Sequence, residues 1–122
     1  MRSTGTAGEP RVRWAGPALA AVVLLSLYVL FWPSPAGGGV TVPGADKAVH
    51  AGLFLLLAGA AALRFGAVPV VLAVVLAYAV GSEVVQGLLL AERSGDVWDV
   101  LADAVGAVAG WQLVRRRAAR SR

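Results

Sequence analysis

Nine ionisable or amide side chains lie in or beside otherwise apolar runs of this chain, and their types suit proton transfer and ion pairing. Asp46, Lys47 and His50 open one run, and Glu83 and Gln86 lie near the end of another. Arg93 and Asp96 occupy the short polar stretch that follows, and Asp99 and Asp103 carry acidity into the last run. Histidine titrates near neutrality, so His50 is the candidate general acid or base, with Glu83 as the alternative base. Lys47 and Arg93 suit a phosphate or anionic head group, arginine through its planar fork, and would otherwise pair with the acids. Asp96 also fits the N-cap of the helix that follows it. His50 with Glu83, Asp99 and Asp103 offers donor types that divalent ions accept. No tight ligand motif such as His-Glu-x-x-His is present, so neither a metal site nor a cofactor is expected. Ser82 and Ser94 are the local hydroxyls and neither sits in a Gly-x-Ser-x-Gly setting, so hydrolysis or transfer here would rely on activated water.

Spacing shows which of these residues share a face. Asp96, Asp99 and Asp103 recur at i, i+3 and i+7, and Gly106 and Gly110 prolong the same stripe along one helix. A Gly-x-x-x-Gly pair in an apolar helix is a packing surface, because small residues admit close backbone approach. Glu83 and Gln86 are three residues apart and predict side chains pointing the same way. At about 1.5 Å per residue, His50, Glu83 and Asp103 all fall within roughly 10 Å of one end of their helices.

The elements that position these groups follow from composition. Of the 122 residues, 58% are hydrophobic and 15% charged, against about 45–50% and 25% in a soluble domain. A soluble core of this size could not bury that excess, which identifies a membrane protein. Four apolar runs predict an all-α bundle of four transmembrane helices over about residues 15–32, 47–64, 67–90 and 97–114. Short connections predict antiparallel packing of these helices. Residues 1–13 read as a disordered basic segment, residues 14–114 as the membrane domain and residues 115–122 as a basic tail. The first run, preceded by arginines and followed by Ser-Pro-Ala, also resembles a signal peptide, but it lies at the long limit for one.

Cytoplasmic termini place nine of the eleven basic residues inside and leave only Lys47 and Arg93 outside, which sets the expected orientation. Trp14 and Trp111 then fall near the inner interface, and Trp32 and Trp98 near the outer one. The expected location is a bacterial inner membrane crossed several times. Membrane lipids are the expected partners and a homo-oligomer is compatible with the sequence. Nucleic acid is not expected, because no folded basic domain accompanies the arginine run. There are no cysteines, hence no disulfide and no thiolate chemistry.

A carboxylate facing lipid at mid-helix costs about 2.5–3.5 kcal/mol, so three of them would cost up to roughly 10 kcal/mol. That approaches the whole stability of a small domain, about 5–15 kcal/mol. The acids must therefore turn inward. Three cations at most (Lys47, Arg93 and protonated His50) accompany six carboxylates on that side, so some acids must be protonated, hydrated or bound to something positive.

At these residues the chain resembles the VanZ-like family of small membrane proteins. The resemblance is carried by Asp46, Lys47 and His50, then Glu83 and Gln86, then Arg93, Asp96 and Asp99, and finally Gly106 and Gly110. It spans roughly residues 45–112. Two positions depart from it: Asp103 stands where the family often has an amide, and Ala51 where it often has an aromatic. The family's named member is linked to glycopeptide (teicoplanin) resistance, and the resemblance implies a fold and a site more than a reaction. The expectation is an outward-facing polar site for a cell-envelope component, whether a lipid head group, a lipid-linked intermediate or a glycopeptide. Its alternatives are a purely structural ion-pair network and a lipid hydrolase or transferase.

Overall fold

The computed structural model describes residues 13–31, 44–89 and 97–122. The basic segment expected to be disordered lies outside the described residues except for Arg13. So do Trp32, Ser94 and the stretch carrying Arg93 and Asp96. The described chain forms four α-helices: α1 (Ala15–Phe31), α2 (Ala45–Phe65), α3 (Pro69–Leu89) and α4 (Val97–Arg120).

Local chemistry explains the helix limits. Gly44, at φ 80°, precedes α2, and Gly66, at φ 97°, closes it with its N–H on the Ala62 carbonyl. That left-handed backbone strains any residue bearing a Cβ. Proline cannot donate to a helix but suits its first position, so α3 starts on Pro69 rather than at residue 67. Helix α4 continues to Arg120, through most of the basic tail. Arginine and alanine are strong helix formers, and Arg117 and Arg120 in the last turn complement its carbonyl end.

Helices α2, α3 and α4 are each long and apolar enough to cross a membrane, and the chain is a multi-pass membrane protein. Helix α1 is a shorter apolar helix of 17 residues with no charged side chain. At about 1.5 Å per residue it extends about 25 Å, against a hydrocarbon core of about 30 Å.

Consecutive helices run antiparallel, yet the most extensive packing joins α2 to α4, which are parallel. Their register is direct: His50 meets Asp103, Ala51 meets Gly106, and Leu55 meets Gly110. A methyl group at Gly106 would overlap the Ala51 carbonyl, and one at Gly110 the Leu55 carbonyl. The two backbones are therefore in direct contact. Helix α1 packs on α2 and α3 and does not reach α4 among the described residues. The core between these layers holds Phe54, Leu30, Ala58 and Ala107, all fully buried, with the Phe54 ring 5.7 Å from that of Tyr78.

Trp14 and Trp98 are exposed on the bundle surface, but Trp111 turns inward. Its indole N–H donates to the Val68 carbonyl at 3.1 Å, fastening α4 to the turn between α2 and α3. The Arg115 guanidinium covers its ring at 5.2 Å.

Candidate functional site

One end of the bundle gathers the first turns of α2 and α4 and the last turns of α3 and α1. Residues 46, 47 and 50 fall on one face of α2, and residues 99 and 103 on one face of α4, as their spacing requires. Gly106 and Gly110 continue the α4 face and draw the two backbones together, so even short aspartate side chains bridge the gap. His50 Nδ1 lies 2.8 Å from Asp103 Oδ1. Lys47 Nζ lies 2.7 Å from Asp99 Oδ1 and 2.8 Å from Asp46 Oδ2. Asp99 Oδ2 in turn stands 4.0 Å from His50 Nε2. These contacts form a continuous polar chain from exposed Asp46 through Lys47, Asp99 and His50 to Asp103.

Asp103 is the innermost member, with 0% of its surface exposed. One oxygen receives the imidazole, while Oδ2 is buried with no hydrogen-bond partner. Glu83, buried on α3, acts electrostatically on His50. Among the described residues the cluster thus sets four carboxylates (Asp46, Glu83, Asp99 and Asp103) against one permanent cation, Lys47. His50 is a second cation when protonated. Such a site accepts hydrogen bonds and favours positive charge. The His50–Asp103 bond also fixes the imidazole's orientation, which any acid–base role would require. No three His, Cys, Asp or Glu side chains among the described residues converge in a way that could hold a metal ion.

Not every residue grouped by spacing joins this cluster. Gln86 turns to α1 instead, and its amide donates to the Leu30 carbonyl at 2.5 Å. It satisfies one of the carbonyls that the end of a helix leaves without an intrahelical partner. Ser82 donates to the Ala79 carbonyl of its own helix at 2.9 Å, a local bond that occupies its hydroxyl proton. Arg93 and Asp96 lie outside the described residues. One polar contact has no signal in sequence spacing: Ser26 Oγ and the Tyr78 hydroxyl meet at 3.0 Å between α1 and α3. Two hydroxyls 52 positions apart carry no periodic relation that would pair them.

A family model described as VanZ/LLP1 matches residues 18–118, which include all four helix cores and every described member of the polar cluster. No curated protein and no solved structure matches the chain.

Proposed function

The chain belongs to the VanZ/LLP1 family, and from that premise we propose that its polar end binds the head of a cell-envelope component through N–H or O–H donors. The observation that carries this reading is Asp103 Oδ2, a buried acceptor without a hydrogen-bond partner in a cluster where, among the described residues, acids outnumber cations. A group bearing an ammonium or several hydroxyls that displaces the side chains covering Asp103 would satisfy that oxygen and offset the excess negative charge. Lipid head groups, lipid-linked intermediates and glycopeptides all carry such donors. In this reading all four helices span a bacterial inner membrane with both termini cytoplasmic, and the site opens outward. The arginine distribution supports that orientation.

The test is a titration of the purified protein in nanodiscs with three probes: phosphatidylethanolamine, a lipid-linked cell-wall precursor and teicoplanin. At least one should bind, and Asp103→Asn should weaken it roughly tenfold, about 1.4 kcal/mol, with the bundle still folded by circular dichroism. Binding by none of the three, or unchanged affinity in the variant, overturns the reading.

A second reading is favoured by the contacts already made. Lys47–Asp99 and His50–Asp103 both tie α2 to α4, so the cluster could serve assembly alone. In that case the matched neutral pair His50→Gln with Asp103→Asn should keep the folded bundle and its cellular role.

A further inference from the structure

At the opposite end of the bundle, α1 and α3 stand apart over α2 and leave a groove of about 480 Å³. Leu19 and Val23 of α1, Leu57 and Ala61 of α2, and Val74 and Tyr78 of α3 form its walls. The groove is closed at depth. One turn beyond Val23, Ser26 meets the Tyr78 hydroxyl and joins α1 to α3 across the gap. From Phe65 at the rim to Leu57 is eight residues of α2, a depth of about 12 Å. A continuous helix from another protein could not lie along a groove blocked in this way, whereas the first part of a flexible hydrocarbon chain could enter it.

The rim carries charge. The Arg64 guanidinium lies 5.0 Å from the centre of the Phe65 ring. Its side chain passes over the start of α1, where a Cβ on Gly16 would stand 3.7 Å from Nε. Gly16 is one turn from Leu19, so Arg64 caps the α1 wall of the groove. Every acidic side chain among the described residues belongs to the other end of the bundle, and Arg13 and Arg115 lie at the Arg64 end. A dead-ended apolar slot beneath an arginine with no acid near it among the described residues matches one chemistry, an anionic head group on an acyl chain.

We infer that this groove holds one anionic phospholipid, with its phosphate on Arg64 and the first part of one acyl chain between α1 and α3. Native mass spectrometry of the detergent-purified protein, with phosphatidylglycerol and phosphatidylcholine supplied equally, tests this directly. One bound phosphatidylglycerol should be retained, roughly tenfold in preference to phosphatidylcholine. Arg64→Gln should abolish that preference. Val74→Trp, which fills the slot from an exposed position on α3, should abolish retention. Val84→Trp, on the same helix but outside the groove, should leave retention unchanged.

Equal retention of the two lipids, retention unaffected by Val74→Trp, loss with Val84→Trp as well, or a second protein copy in place of lipid would each overturn the inference. None of these outcomes depends on what occupies the polar end.

Discussion

Where α2 meets α4, glycines bring the backbones into contact and the seam buries charge. Where α1 faces α3, larger side chains keep the helices apart, the Ser26–Tyr78 hydroxyls and the Gln86 amide on the Leu30 carbonyl bridge them, and a groove remains. The two sides share the same solvent, yet only the first buries an aspartate fully. The difference teaches that close approach comes first. Lipid offers no hydrogen bonds, so a carboxylate can be held only where a neighbouring helix is near enough for a short side chain to reach a partner. Gly106 and Gly110 create that proximity, and Asp103 and Asp99, one and two turns from Gly106, use it. The α1–α3 side has no such stripe, and its cavity is lined by apolar side chains and the Tyr78 ring.

The strongest way to break this contrast is Gly106→Val. It adds overpacking of about 1–3 kcal/mol and also separates the His50–Asp103 pair one turn away, costing about 3 kcal/mol more. Thermal unfolding in detergent should show a larger loss than for any single substitution that leaves the two backbones in contact. A variant as stable as the parent would refute direct backbone contact.

Next in size is His50→Ala, which leaves Asp103 buried without its imidazole partner and should cost about 3 kcal/mol. Adding Asp103→Asn should recover part of that loss, and a double-mutant cycle in the same assay measures the coupling. Strictly additive effects would mean that the two residues do not communicate.

Tyr78→Phe sharpens the other side of the comparison. It removes the hydroxyl contact with Ser26 and should cost about 1 kcal/mol, while leaving the His50–Asp103 coupling unchanged. A change in that coupling would show that the two sides are not independent.

The smallest effect is expected for Lys47→Met. Its side chain is 34% exposed, and pairs open to solvent contribute only about 0.2–1 kcal/mol. The shift should shrink further in high salt, because screening already weakens the parent pair.

Much of this design is legible in the order of residues. Asp99, Asp103, Gly106 and Gly110 fall on one stripe because a helix repeats every 3.6 residues, and that stripe is the one turned to α2. Periodicity relates residues of the same helix, however, and says nothing about which neighbour they meet. Glu83 and Gln86 have the three-residue spacing of a shared face, yet Gln86 serves the Leu30 carbonyl of α1. Trp111 sits at the depth where an interfacial aromatic is expected, but the Val68 carbonyl draws its N–H inward. Short connections imply antiparallel neighbours, and they are present. The dominant parallel α2–α4 pairing came instead from surface shape, which connection length does not encode.

From the sequence alone came the membrane class, the helices and the need for the acids to face inward. All three follow from local composition, helical period and the cost of charge in hydrocarbon. Tertiary structure alone decided that His50 takes Asp103, that Lys47 takes Asp99, and that a closed groove lies under Arg64. Partners and cavities arise from the distances between separate helices, and those distances are set jointly by every side chain in the seams.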